Sequence, residues 1–267
     1  MPSLNSSGDR APGGPQPRSL CPAERRGERA LGANDTSTVG ATGRARPARR
    51  DHRDGRRRGA RSVVSRGRFI AMEGVDGSGK STQVAMLAAA LRAEGRQVLT
   101  TREPGGTTLG ERLRALVLDP AVAIGPQAEA LIFAAARAEL VATVIEPALA
   151  DGTWVISDRF VDSSLAYQGN ARALGIDAVA RANALAVGSC QPDVVVILDL
   201  PVADATKRGD GERDRIESEG SNLQRLVAEG YRDLVRREPT RRFPVDATGA
   251  PETVHKRVIA VVRDKTA

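Results

Sequence analysis

The chain has 267 residues, 40 Lys plus Arg against 33 Asp plus Glu, and a formal net charge of +7 at pH 7. The excess is local: residues 1–66 hold 15 Arg, no Lys and six acidic residues, which leaves the other 201 residues near neutrality at −2. A near-neutral body is unlike a nucleic-acid-binding domain, and no apolar run is long enough to cross a membrane. Cys21 and Cys190, with the distant His52 and His255, have no metal-ligand spacing, and two unpaired thiols suit a reducing, cytoplasmic setting.

Residues 1–66 are rich in Arg, Gly, Pro, Ser and Ala and contain no aromatic residue. Such a segment cannot bury enough apolar surface to offset its ordering entropy. It is expected to be a disordered extension able to touch polyanions weakly. Its acidic residues argue against an organellar leader, and a translation start near Val63 or Val64 would leave it out.

The apolar run Phe69, Ile70, Ala71, Met72 reads as a buried strand that runs into Gly74, Val75, Asp76, Gly77, Ser78, Gly79, Lys80 and Ser81, followed by Thr82. This satisfies G-x-x-x-x-G-K-[ST], a P-loop. Glycines let successive backbone N–H groups wrap a polyphosphate, Lys80 supplies a point charge, Ser81 a hydroxyl for Mg²⁺, and the following helix points its positive end at the ligand. Gln97–Thr101 is a second strand, and Thr101, Arg102, Glu103, Pro104, Gly105, Gly106 form a loop at its carboxyl end, where open α/β sheets bind ligands. Residues 109–118 have helical spacing. Residues 126–150 form a long Ala-rich helix that Pro147 should kink or divide, with Phe133 and Arg137 on one face. By type alone, Phe133 suits a core and Arg137 a solvated face.

Thr153–Ser157 is a third strand, and Asp158 at its end is placed to hold Mg²⁺ beside the P-loop, with Arg159 able to fork onto a phosphate. Phe160–Gly169 brings Ser163, Ser164, Tyr167 and Gln168 into one helix start. Residues 177–187 are helical, and Asp193–Leu200 has the unbroken apolar character of a central parallel strand. Residues 204–219 are dense in charge with central glycines, which suits a solvated, mobile flap. A helix over 222–238, a strand over Phe243–Asp246 and a helix over Pro251–Val262 complete a three-layer, doubly wound α/β fold with a mostly parallel sheet.

The blocks EGVDGSGKST, TREPGGT, FAAARAEL, DRFVDSSLAYQG and GERDRIE, in that order, resemble bacterial thymidylate kinases, which convert dTMP to dTDP with ATP. The resemblance covers residues 68 to about 262 and implies a P-loop nucleoside-monophosphate kinase fold with a lid over about 204–219. It implies that residues 74–82 bind ATP and that Ser81 and Asp158 hold Mg²⁺. Phe133 would stack on thymine, Arg137 would bind its carbonyl, and Ser164 and Gln168 would lie along the pyrimidine edge, in the block that also holds Ser163. Tyr167 would disfavour a ribose, while Asp76, Arg102, Glu103 and Arg159 would surround the acceptor sugar and phosphate. With Asp76, Gly77 and Ser78 inside the P-loop instead of a basic residue, the chain resembles the subgroup whose catalytic arginines come from the lid, here Arg208, Arg213 and Arg215. Lys80, Asp158 and Arg159 complete the catalytic set, and family members are homodimers. The rivals are a P-loop kinase for another nucleoside monophosphate and an ATPase or switch recruited by the basic leader.

Overall fold

A computed structural model of the chain describes residues 65–208 and 214–267. The leader expected over residues 1–66 lies almost wholly outside the described residues, as does Arg213.

Five strands, β1 (Phe69–Gly74), β2 (Val98–Arg102), β3 (Trp154–Asp158), β4 (Val194–Asp199) and β5 (Arg242–Asp246), form one sheet in the order β2-β3-β1-β4-β5. Every pairing is parallel. The sheet is therefore parallel throughout, because each consecutive pair of strands is joined by helical crossovers that bring the chain back to the same end. β1 and β4 are buried along nearly their whole length, as their β-branched and aromatic runs require, whereas the edge strand β2 tolerates Thr100 and Thr101. Phe69 packs edge-on against Phe160 with ring centroids 4.9 Å apart, joining β1 to the segment after β3.

The helices are α1 (Lys80–Ala93), α2 (Thr108–Leu118), α3 (Pro126–Leu140), α4 (Glu146–Ala150), α5 (Val161–Ser164), α6 (Ile176–Val187), α7 (Val202–Lys207), α8 (Gly220–Arg237) and α9 (Pro251–Thr266). The helix expected over 126–150 is not broken at Pro147. A π-helical turn over Val141–Ile145 joins α3 to α4, and Pro147 sits in the first turn of α4. A proline ring clashes with the carbonyl four residues earlier, and the wider π turn makes room for it. A second π segment, Leu165–Ala171, extends α5 and packs against α8, α6 and α3.

The charged stretch 204–219 is only partly a solvated face. α7 ends at Lys207, but Arg215 and Ile216 turn inward, with Ile216 6% exposed, ahead of a short 3₁₀ turn over Glu217–Glu219.

Candidate active site

At the carboxyl end of β1 the backbone takes conformations that side chains resist: φ is 141° at Gly74, 76° at Gly77 and 92° at Gly79. Close packing adds to this. A Cβ on Gly77 would fall 2.3 Å from the Ala205 carbonyl oxygen, and one on Gly74 would fall 2.8 Å from both the Leu198 carbonyl and the Ser78 hydroxyl. The loop from Asp76 to Thr82 lines a cavity of about 680 Å³, with Val75 buried behind it. The first turn of α1 faces the same space and offers unpaired N–H groups and a positive helix end. The Ser78 hydroxyl is buried there without a protein partner.

Lys80 is 7% exposed and its Nζ donates to the Val75 carbonyl at 2.8 Å. Burial, then the neighbouring Arg159 charge, push its pKa down to about 8, against the pull of Asp76, Asp158 and Glu73. Asp158 ends β3, the strand paired with β1, and accepts a hydrogen bond from Ser81 Oγ at 2.6 Å on its Oδ2. This pair of hard oxygens at the mouth of a phosphate-sized cradle suits Mg²⁺ shared with phosphate oxygens. Among the described residues no group of three or more His, Cys, Asp and Glu side chains could hold a metal by itself.

Arg159 follows Asp158 with φ 73°, a left-handed conformation that costs a non-glycine roughly 1–2 kcal/mol. Its N–H donates to the Met72 carbonyl at 2.9 Å and its carbonyl accepts from Ser157 Oγ at 2.6 Å, which hold the residue in place. The guanidinium is thereby aimed back at the P-loop: it donates to the Gly74 carbonyl at 3.2 Å and to Ser163 Oγ at 3.0 Å, pairs with Asp76, and lies 5.2 Å from the Tyr167 ring centroid. Asp76 also accepts from Tyr167 Oη at 2.8 Å and from Gln224 Nε2 at 2.7 Å. Burial would raise the Asp76 carboxyl, but Arg159 and then Lys80 hold it down at about 2.

A smaller cavity of about 120 Å³ opens beside the first, walled by Phe133, Ser163, Ser164, Tyr167 and Gln168. Asp76, Glu103, Arg114 and Arg159 line both. The solvated face expected for Arg137 is overturned: the residue is 1% exposed. It is buried because it is fully partnered, by Glu103 at 2.5 Å, Ser164 Oγ at 3.2 Å, the Phe160 carbonyl at 3.0 Å and Asn183. Glu103, raised by desolvation against the pull of Arg137, leaves its Oε1 without a partner. Phe133 is only partly buried: it packs on the edge of the core and also lines the cavity.

The geometry therefore joins a polyphosphate cradle to a second pocket with one aromatic wall, and a family model described as thymidylate kinase matches residues 72–258. The chain belongs to the thymidylate kinase family. It is 44% identical to the thymidylate kinase of Bradyrhizobium diazoefficiens over 206 residues, 75% of this chain and 90% of that protein. The thymidylate kinase of Deinococcus radiodurans is 44% identical over 204 residues, 76% and 99% of the two chains. That of Symbiobacterium thermophilum is 46% identical over 198 residues, 73% and 92%.

The arginines expected of the lid divide. Arg208, at the end of α7, lines the cradle, with its Nη1 4.0 Å from where a Gly79 Cβ would stand. Arg215 lies elsewhere: its Nη2 reaches Glu129 at 2.5 Å and its Nε the Val117 carbonyl at 2.8 Å. Arg102 lines the larger cavity from the end of β2 while its guanidinium pairs with Glu111 at 3.1 Å.

Several residues of the site escape sequence reasoning. Fully buried Glu73 accepts from the Phe160 N–H at 2.7 Å, Ser163 Oγ at 2.6 Å and Tyr231 Oη at 2.9 Å; desolvation and then Asp162 push its pKa up to about 7. Gln224 and Tyr231 come from α8, two turns apart and so on one face. Arg114 donates to the Pro104 carbonyl at 3.0 Å. Glu129 had a signal: it lies four residues before Phe133 and eight before Arg137 on the same helix.

Proposed function

We propose that this protein transfers the γ-phosphoryl group of ATP to dTMP, giving dTDP and ADP. The observation that supports this most is the shared wall: Asp76, Arg114 and Arg159 line both the polyphosphate cradle and the pocket walled by Phe133, Tyr167 and Gln168, so two nucleotides would meet phosphate to phosphate. In this reading the loop from Gly74 to Thr82 holds ATP, and Phe133, Ser164 and Gln168 hold the pyrimidine. Tyr167 guards C2′, and Ser163 and Asp76 fix Arg159, which with Arg102 faces the acceptor phosphate. Glu103 lines the pocket, and Arg137, buried behind it, fixes Glu103 and Ser164 in that wall.

The acceptor is a phosphate monoester whose second pKa is about 6, so its oxygen is already anionic at neutral pH and no general base is needed. Catalysis then rests on positioning and charge neutralisation of a loose transition state. Lys80 meets the β- and γ-phosphates, and Arg159 and Arg208 add positive charge at the junction. Arg215 reaches the phosphates only after leaving Glu129, which ties its arrival to lid movement. Ser81 and Asp158 would hold Mg²⁺, which when bound neutralises phosphate charge and orients the γ-phosphoryl group. We further propose a cytoplasmic homodimer with residues 1–66 as a separate extension; among the described residues no helix is long and apolar enough to cross a membrane.

Incubating the full chain with ATP, Mg²⁺ and dTMP and resolving the nucleotides by chromatography tests the reading. dTDP and ADP should appear in equal amounts. ADP without dTDP would favour the ATPase alternative.

A further inference from the structure

Glu73 is fully buried one residue before the P-loop and lines neither of the two cavities. Its carboxylate is saturated by protein donors. Oε1 accepts from the Phe160 N–H at 2.7 Å and the Ser163 N–H at 3.2 Å, and Oε2 accepts from Ser163 Oγ at 2.6 Å and Tyr231 Oη at 2.9 Å. Four donors fill what two carboxylate oxygens can accept, so Glu73 has nothing left to offer a ligand. The two backbone donors belong to the start of α5, whose own residues supply no side-chain cap. Glu73 caps that turn from another strand.

Immediately before those donors stands Arg159. Its N–H is held by the Met72 carbonyl at 2.9 Å, and the next N–H, that of Phe160, is held by Glu73, so consecutive residues of β1 grip the chain on both sides of the left-handed Arg159. That conformation is unfavourable for a non-glycine and persists only where the surroundings impose it. Glu73 reaches the Arg159 side chain by a second path. Ser163 Oγ has one proton, which goes to Glu73, and its lone pairs are then free for Arg159 Nη1, which donates to it at 3.0 Å. We infer that Glu73 is a positioning residue that fixes both the backbone and the guanidinium of Arg159, so that this arginine faces the junction of the two cavities. The inference rests on the proposed reading of Arg159 as facing the acceptor phosphate. It adds that a residue outside both pockets sets the aim of that arginine, and that the strand carrying the polyphosphate cradle also holds the acceptor-side cation.

The test compares dTMP with thymidine, which lacks the phosphate, by calorimetric binding to the full chain, to Glu73→Ala, to Arg159→Ala and to the double variant. In the wild type dTMP should bind more tightly than thymidine. In Glu73→Ala dTMP should lose roughly 10- to 100-fold in affinity while thymidine changes little, because only the contact to the phosphate is misplaced. Arg159→Ala should show the same pattern, and the double variant should bind dTMP no more weakly than Arg159→Ala alone. Equal weakening of both ligands in Glu73→Ala, no change in either, or a further drop of the same size in the double variant would overturn the inference. If Glu73→Ala does not fold, Glu73→Asp decides: the same charge on an arm one methylene shorter cannot hold both Phe160 and Ser163, so the dTMP-to-thymidine affinity ratio should fall, and a ratio like that of the wild type refutes the arrangement. A wild type that binds thymidine as tightly as dTMP removes the reading of Arg159 itself, and the inference with it.

Discussion

Replacing Arg137 by Met removes a guanidinium that is 1% exposed and leaves Glu103, 4% exposed, as a buried carboxylate without its counter-ion. Breaking a buried pair from one side costs about 3–5 kcal/mol, because the remaining charge keeps its desolvation penalty. At about 2–4 °C per kcal/mol for a domain of this size, the melting temperature of Arg137→Met should fall by about 6–20 °C. The deficit should depend on pH with a definite sign. Burial already raises the Glu103 carboxyl above its ordinary value, and Arg137 opposes that rise. Without Arg137 the folded-state value climbs further, so the stability Glu103 allows is complete below the ordinary carboxylate range and is lost as pH rises through the raised value. The deficit should therefore be small under acidic conditions and largest above neutrality. A double variant, Arg137→Met with Glu103→Leu, should recover most of the melting temperature but not dTMP affinity, since Ser164 also loses its 3.2 Å donor. Scanning calorimetry across pH, with dTMP titrations of each variant, checks this. A single variant that melts like the wild type at every pH, or a double variant that regains dTMP binding, would refute the wall-building role of the pair.

Other outcomes follow from the same geometry. Phe133→Ala should weaken dTMP binding and leave ATP binding intact; equal loss of both in titrations would make the ring a core residue. Arg208→Ala should lower turnover by roughly 10³-fold or more if it neutralises transition-state charge, and Arg215→Ala should lower turnover far more than ATP affinity; steady-state kinetics separate the two. ATP binding just above the Lys80 pKa of about 8 should take up a proton, and affinity should fall as pH rises through that value; calorimetry in buffers of different ionisation enthalpy measures the uptake. Glu73→Gln should flatten the pH dependence of stability between the ordinary carboxylate range and about 7. Its raised pKa means that the wild type loses stability as pH rises through that window, a slope that thermal melts resolve.

Four strands were legible from their β-branched or apolar runs, whereas β5, with Pro244 between Phe243 and Val245, carries a weaker signal; the P-loop was legible because its glycines are demanded by φ and by close carbonyls. Asp158 and Arg159 were legible from their place at a strand end beside that loop. What the sequence hid were contacts made at long range. Arg137 looks like a solvated charge until Glu103, Ser164 and Asn183 are folded around it. The division between Arg208 and Arg215 depends on where α7 ends and where Glu129 lies, neither of which a charge pattern encodes. Glu73 sits inside the P-loop block, but its role appears only when Ser163 and Tyr231 arrive from segments 90 and 158 residues away. The π turn at Val141–Ile145 was likewise invisible, since a proline signals a problem for the helix but not which distortion relieves it.

The most direct measurement is ADP formation by the full chain from ATP and Mg²⁺ with dTMP, dUMP, the ribonucleotide TMP, dCMP and thymidine supplied as separate acceptors. Turnover should be fastest with dTMP, weaker with dUMP, and low with the ribonucleotide, with dCMP and with thymidine, which lacks the phosphate that Arg102 and Arg159 would face. ADP formation indifferent to the acceptor would contradict a pocket built to read dTMP.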